Sequence, residues 1–176
     1  MSVSKRIAFN MDVKYTDLSG NIGMVCNSAG LCMASNDMIS VLGGQPANFA
    51  DLGGSAIHES IDTLLHLLNA SDKVRVIFIN VYGGLMSVKK VIATLKMGLK
   101  TGVVTKPVVI RALGNESEGT EEMLGDWPTR HPIFFEQEFE AACQRAVEVA
   151  AQEEHRLAAS LSKEDQGSQM PSQVAH

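Results

Sequence analysis

The 176-residue sequence predicts an α/β protein whose centre is an open, doubly wound parallel sheet of five strands. The first reason is that short apolar runs alternate with amphipathic stretches, and glycine-rich turns separate them. The second reason is Val74–Tyr82, which is rich in β-branched residues and apolar on both faces. Such a strand belongs in the middle of a parallel sheet with helices on both sides. Repeated strand–helix units of this kind predict a flavodoxin-like sheet.

Pairs of glycines end elements of the first two strand–helix units. We expect strands at Ile22–Asn27 and Ala47–Leu52, and helices at Ala29–Leu42 and Ile57–Asn69. The first helix stops at Gly43–Gly44, and the second strand stops at Gly53–Gly54. In the second helix, apolar residues recur at helical spacing, which indicates one buried face.

The remaining units begin with the two-sided strand, which is broken by Gly83–Gly84. We expect further strands at Pro107–Ala112 and Pro132–Phe135, and helices at Leu85–Leu99, Glu118–Leu124 and Phe139–Arg156. Connections between parallel strands in such a sheet are right-handed almost without exception.

The two ends of the chain differ from this regular middle part. Residues 1–18 contain no complete strand–helix unit, and we expect a leader or the remnant of a join to another domain. Residues 19–156 are the expected domain. From Ala158 onward, Ser, Gln, Lys and Glu dominate without apolar periodicity. We therefore expect residues 157–176 to be a disordered tail.

Composition and charge exclude several classes of function. The chain has a mass of 18.9 kDa, 45% hydrophobic residues and a net charge of −5, which argues against a nucleic-acid-binding or membrane-binding protein. The three cysteines are too few for a disulfide framework or a metal knuckle. No apolar run is long enough to span a membrane, and the first ten residues contain no secretory signal. Free thiols fit the cytoplasm or the mitochondrial matrix.

Glycine-rich segments predict where a ligand would bind. In this type of sheet, ligands bind beyond the carboxyl ends of the strands, where loops lead into helix N-termini. Three such segments fall at that edge, at 20–30, 53–55 and 83–84. Small residues let an anion approach the backbone, and the N–H groups of the next helix can bind it. Gly83–Met86 is the strongest candidate, although glycines that only form tight turns fit equally well.

Asn27 ends the first strand and fits two roles. Its side-chain amide can donate and accept hydrogen bonds with a bound carboxylate. It can also cap the following helix, because Asn before Ser-Ala-Gly is a good N-cap. From the residues alone, capping is the favoured role.

The sequence contains no evident catalyst. None of the five histidines has metal-ligand spacing, and His58, beside Glu59 in the first turn of a helix, is more typical of a solvated residue. Neither a P-loop, nor a dinucleotide-binding fingerprint, nor a nucleophile elbow occurs. Lys89–Lys90 is an isolated basic pair, more typical of a solvated helix face than of a phosphate clamp.

Several linked motifs resemble one known family. Gly20–Ser35, Gly43–Ala56 and Asp72–Ser87 resemble, in order and spacing, the C-terminal CoA-ligase domain of the succinate–CoA ligase (succinyl-CoA synthetase) β subunit. The resemblance continues through Pro107–Leu124 and then, more weakly, to about Ala151. The ATP-grasp domain of that subunit, which binds the nucleotide, has no counterpart in this sequence.

The resemblance implies a reaction and its participants. In that family, succinate, CoA and a nucleoside triphosphate are interconverted with succinyl-CoA, a nucleoside diphosphate and phosphate, through a phosphohistidine on an α subunit. It implies an α-type partner, and Mg²⁺, ATP or GTP, and CoA as cofactors of the assembly rather than of this chain alone. It places succinate contacts on Asn27, Gly84, Leu85 and Met86, and support for the anion and phosphohistidine loop on Gly83, Gly53 and Gly54.

Some positions depart from the family's pattern. Ser19 stands where the family has Asp, Ser28 where it has Gly, and Ser87-Val88-Lys89 where it has Arg-Cys-Asp. Two functions therefore stay open at this point. The first is a β-subunit-type domain of an acid–CoA ligase, active only within a larger assembly. The second is a non-catalytic binding or regulatory module derived from that domain, or a fragment of a longer subunit.

Overall fold

The computed structural model describes residues 13–53 and 58–167 of the chain. The strands are β1 (Lys14–Asp17), β2 (Ile22–Cys26), β3 (Asn48–Asp51), β4 (Val76–Gly83), β5 (Val108–Gly114) and β6 (Ile133–Phe135). The helices are α1 (Ala29–Val41), α2 (His58–Ala70), α3 (Val88–Thr101), α4 (Thr120–Met123), α5 (Trp127–Arg130) and α6 (Phe139–Gly167).

The strands form one mostly parallel sheet in the order β1-β3-β2-β4-β5-β6. Strands β2 to β6 are parallel, and their spatial order is that of a flavodoxin-like fold, which confirms the predicted fold class. The sequence did not predict β1, which pairs antiparallel with β3 from Lys14↔Asp51 to Asp17↔Asn48. This short edge strand lies inside the segment expected to be a leader, and only its Tyr15 is buried.

Two apolar layers cover the sheet, one on each face. The central strand β4 contributes Ile77, Ile79 and Val81 to a layer shared with α2 and α3. It contributes Val76 and Phe78 to the opposite layer, which is shared with α1 and α6. Because every second residue of a strand points to the same face, this division explains why β4 carries apolar residues on both faces.

Two helix boundaries differ from those expected by more than two residues. Helix α3 begins at Val88 rather than at Leu85, because Met86 is 3% exposed and packs in the α2–α3 layer before the helix starts. Helix α6 continues to Gly167, into the stretch expected to be a disordered tail. Its last turns are rich in Ala, Glu and Leu, which favour helix without a fully buried face. None of the helices in residues 13–53 and 58–167 is long and apolar enough to cross a bilayer.

Candidate functional site

The order of the strands creates a crevice between β2 and β4. From β2 the chain passes to β3 on one side, and from β3 it returns to β4 on the other. Connections therefore leave in opposite directions at the carboxyl ends of β2 and β4, and ligands bind at such a switch point in open α/β sheets. Asn27 directly follows β2 and Gly83 ends β4, so the structure brings these two predicted site residues to the same crevice.

Asn27 joins the two strands at this point. Its Nδ2 donates to the Tyr82 carbonyl oxygen at 2.7 Å, and its Oδ1 accepts from the Tyr82 N–H at 2.9 Å. The register of the two strands ends at Cys26↔Asn80, so the Asn27 side chain continues the ladder for one further step. An amide nitrogen carries two hydrogens, and the second one on Asn27 has no partner among the described residues. The Asn27 residue is 7% exposed.

Asn27 is not the cap of the following helix. Ser28 occupies that position, and its Oγ accepts from the Leu31 N–H at 3.2 Å. The favoured sequence interpretation, in which Asn27 caps α1, is therefore wrong. The Asn27 side chain does not cap α1, because its two hydrogen bonds with Tyr82 direct it toward β4. This pair of hydrogen bonds is called the Asn27–Tyr82 tie below.

The segment Gly83–Met86 divides into residues with opposite environments. A Cβ at Gly83 would lie 2.5 Å from the Asn115 carbonyl oxygen and 2.8 Å from a Val88 methyl, so only glycine fits there. A Cβ at Gly84 would have no heavy atom within 4 Å. Leu85 is 91% exposed, whereas Met86 is buried. Gly83 therefore shapes the turn, Met86 anchors it, and Gly84 and Leu85 face outward.

Asn115 was missed by sequence reasoning, although it fixes this loop. Its N–H donates to the Gly83 carbonyl oxygen at 2.8 Å, and its Nδ2 donates to the Gly84 carbonyl oxygen at 3.1 Å. It follows Gly114, whose φ of 90° places the chain in the left-handed region that favours glycine. A Gly-Asn pair one residue beyond the predicted strand Pro107–Ala112 was the available signal.

Gly53 lies at the same edge, beyond β3. Its N–H donates to the Asp51 Oδ1 at 2.8 Å, and its φ is 75°. This arrangement closes the strand with a tight turn, as the glycine pair predicted. Gly54, the other member of the pair, lies outside the described residues.

The start of helix α3 has unusual electrostatics for an exposed helix N-terminus. Ser87 holds the N-cap position but makes no side-chain capping hydrogen bond, and the first turn contains no acidic residue. Lys89 and Lys90 follow instead. Unpaired N–H groups and the helix macrodipole favour an anion at this end by roughly 0.3–1 kcal/mol.

The neighbouring titratable side chains serve structure rather than chemistry. The hydrogen bond with Cys32, followed by burial, holds the pKa of the Cys26 thiol well above its usual value, so Cys26 stays neutral. The Thr94 hydroxyl donates to the Lys90 carbonyl oxygen, so the His58 Nδ1, 2.7 Å from Thr94 Oγ1, is the donor that ties α2 to α3. Among the described residues, no group of three His, Cys, Asp or Glu could hold a metal ion.

The chain is similar in sequence to proteins of one known family. A family model described as CoA-ligase matches residues 25–126. The chain is 37% identical over 150 residues to the β subunit of the ADP-forming succinate–CoA ligase of Staphylothermus marinus, covering 85% of this chain and 38% of that protein. It is 34% identical over 143 residues to the mitochondrial β subunit of Dictyostelium discoideum, covering 81% of this chain and 32% of that protein. The chain thus spans less than half the length of these relatives.

Solved structures confirm the fold. An ATP citrate lyase from Methanothrix soehngenii, in complex with citrate and coenzyme A, matches with a TM-score of 0.65 at 20% identity, over 77% of this chain and 42% of that one. A dinucleotide-forming acetyl-coenzyme A synthetase from Ca. Korarchaeum cryptofilum matches with a TM-score of 0.60 at 15% identity, over 82% of this chain and 36% of that one.

Proposed function

This chain belongs to the CoA-ligase family, and we propose that it acts as the β-subunit-type domain of a succinate–CoA ligase. In this role it contributes the succinate and phosphohistidine side of the site and the contact with an α-type subunit. The two relatives named above, one archaeal and one mitochondrial, are β subunits of that enzyme. The cytoplasm and the mitochondrial matrix both suit this function.

The observation that carries the proposal is the tie between Asn27 and Tyr82 at the switch point. It holds the end of β2 against the loop that leads into α3, and it leaves one Asn27 N–H at the rim of the crevice. A carboxylate or phosphoryl oxygen at this position accepts from that N–H and faces the positive end of α3. Both interactions stabilise an anion without requiring a charged side chain.

Each residue of the loop has its own part in this proposal. Gly83 and Asn115 hold the backbone, Gly84 lets the ligand approach it closely, and Met86 fixes the start of α3 in the core. Leu85 and Tyr82, which are 91% and 58% exposed, supply an apolar contact for the α-type subunit. The chain's part in the reaction is to bind and orient succinate and the phosphoryl group, while the nucleotide, Mg²⁺ and CoA bind elsewhere in the assembly.

The experiment is reconstitution with a competent α-type subunit and a nucleotide-binding ATP-grasp domain. Succinate- and CoA-dependent turnover of ATP or GTP is the readout, and we expect activity from the wild-type chain. We expect Asn27→Ala to lower turnover, because the tie and its free donor are lost together. Asn69→Ala is the matched control, since Asn69 accepts from the Thr105 N–H at the opposite edge of the sheet.

The proposal fails if the reconstituted mixture has no activity, or if Asn27→Ala and Asn69→Ala have the same turnover per folded molecule. The same mixture tests the second candidate function, a non-catalytic binding module. That candidate is favoured by the lack of an acidic residue in the first turn of α3, where the chain has Ser87-Val88-Lys89. Stable association with the α-type subunit without any turnover would support it.

A further inference from the structure

The exposed face of α3 carries a concentrated positive charge in an acidic protein. Helix α3 has four lysines and no acidic residue, while the whole chain has a net charge of −5. The lysines are Lys89, Lys90, Lys96 and Lys100, and all four are exposed. Lys89, Lys96 and Lys100 follow one stripe at helical spacing, because residues separated by three or four positions lie on the same face.

These lysines differ from several arginines of the protein, which form ion pairs. Elsewhere, Arg75 pairs with Glu154 at 3.0 Å, Arg145 with Glu136 at 3.0 Å, and Arg156 with Glu153 at 2.7 Å. Within residues 13–53 and 58–167, no lysine of α3 forms an ion pair. Lys96 alone has a partner there, and it is a neutral one, the Met123 carbonyl oxygen at 2.6 Å. The positive charge on this helix is therefore not neutralised within the described fold.

A groove of about 390 Å³ with mixed charged and apolar lining lies beside the lysines, between α3 and α4. It is lined by Ala93, Lys96, Met97, Lys100, Glu122 and Met123. Met97, which is 53% exposed, is the large apolar side chain that α3 presents at this groove. Methionines form adaptable surfaces that accommodate apolar side chains of different shapes.

We propose that this face of α3, with its groove, is a docking surface for an acidic helical segment of another protein. Glutamates or aspartates on such a segment pair with Lys89, Lys90 and Lys100, and one apolar side chain enters the groove between Met97 and Met123. Recognition of an amphipathic helix in a groove follows this pattern of a few apolar anchors with surrounding charge pairs. The inference uses none of the succinate contacts of the proposed function, and Lys96, Lys100 and the groove lie beyond the first turn of α3, where Lys89 and Lys90 flank that site.

The same observations favour a protein over other anionic partners. A membrane-binding helix presents a broad apolar face with large aromatic or aliphatic residues, whereas α3 exposes only Met97 of this kind. A nucleic-acid surface uses arginine and aromatic stacking, and the exposed face of α3 has neither. Glu122 at the edge of the groove can pair with a basic residue of a protein segment, and a polyphosphate has no such group.

The test measures binding of a synthetic helical peptide to the full chain. The peptide has the 14-residue length of α3, with leucine at every fourth position and glutamate at most others. Fluorescence anisotropy gives the affinity, and amide NMR shifts locate the binding site. We expect saturable binding with shifts confined to α3 and α4. The triple variant K89Q/K90Q/K100Q should weaken binding about tenfold, from three surface charge pairs.

Matched controls separate a specific site from net charge. K14Q/K163Q removes charge from exposed lysines of β1 and α6 and should leave peptide affinity within about twofold. Met97→Gln should weaken binding with no change in charge. The proposal is overturned if the wild-type chain does not bind the peptide, or if the triple variant binds as well as wild type. It is equally overturned if phosphatidylserine vesicles or a single-stranded oligonucleotide bind α3 more tightly than the peptide does.

Discussion

Asn27 and Asn48 make the same pair of hydrogen bonds in two different parts of the sheet. Asn48 Oδ1 accepts from the Met24 N–H at 2.8 Å, and its Nδ2 donates to the Met24 carbonyl oxygen at 3.0 Å. Asn27 does the same with Tyr82, at 2.9 and 2.7 Å. Asn48 is fully buried, whereas Asn27 is 7% exposed and lies at the crevice.

In the proposed function, the same pair of hydrogen bonds serves stability at Asn48 and ligand binding at Asn27. Between the pairings Ile22↔Pro46 and Cys26↔Asp51, β3 has one residue more than β2, which is a bulge. The Asn48 side chain supplies the hydrogen bonds that the bulge removes from the ladder. Because Asn48 is fully buried, water cannot replace these bonds. Asn27 extends a ladder that is already ending, and it lies at the proposed ligand site.

The largest effect is expected from removing the buried tie. Asn48→Ala leaves the Met24 N–H and carbonyl buried without partners, so we expect it to lower the free energy of unfolding by roughly 2–4 kcal/mol. Chemical denaturation measures this loss. If Asn48→Ala lowers the free energy of unfolding no more than Asn27→Ala does, the distinction between the buried hydrogen bonds of Asn48 and those of Asn27 at the crevice is contradicted.

Gly83 and Gly84 give a second contrast between a crowded and an open position, this time within one loop of the crevice. Gly83→Ala places a methyl 2.5 Å from the Asn115 carbonyl oxygen, and we expect it to cost roughly 2–3 kcal/mol of stability. Gly84→Ala meets no neighbour within 4 Å and should stay within about 0.5 kcal/mol of wild type. Thermal and urea unfolding of the two variants measure both values. Equal destabilisation would show that the crowding at Gly83 does not shape the turn.

Asn27→Ala is expected to have a moderate effect on stability and a specific effect on binding. Water can reach the rim of the crevice and replace part of the tie, so we expect a loss of roughly 1–2 kcal/mol. Binding of succinate to the folded variant should fall more than binding to Asn69→Ala, as isothermal titration would measure. If both variants bind succinate equally, Asn27 has only a structural role.

The smallest effect concerns the two serines that precede α1 and α3. Ser28→Ala removes a capping bond and should cost about 1 kcal/mol. Ser87→Ala removes no capping bond and should cost less than half as much. Urea midpoints at constant m-value test this pair. The reverse order would mean that Ser87 caps α3 in solution.

The parts of the fold that sequence reasoning predicted are those set by local pattern. The two-sided strand β4 and the glycine pairs after β3 and β4 follow from apolar runs and turn residues, and they sufficed for the sheet type and its ligand edge. The ties of Asn27 and Asn115 could not be predicted, because they depend on which strands are neighbours and in which register. For the same reason Asn27 was assigned to the local role of a cap, which Ser28 fills. Strand β1 is too short to show a periodic pattern.

The most direct test of the account is an NMR titration of the ¹⁵N-labelled chain with succinate. The side-chain amides of Asn27 and Asn48 give separate signals, so one sample contains both the site and its internal control. We expect the Asn27 Nδ2 hydrogens and the backbone amides of Gly84 and Leu85 to shift and saturate, while the Asn48 side chain stays unchanged. A titration that leaves Asn27 unmoved, or that shifts Asn48 to the same extent, would contradict the claim that the crevice between β2 and β4 is the succinate site.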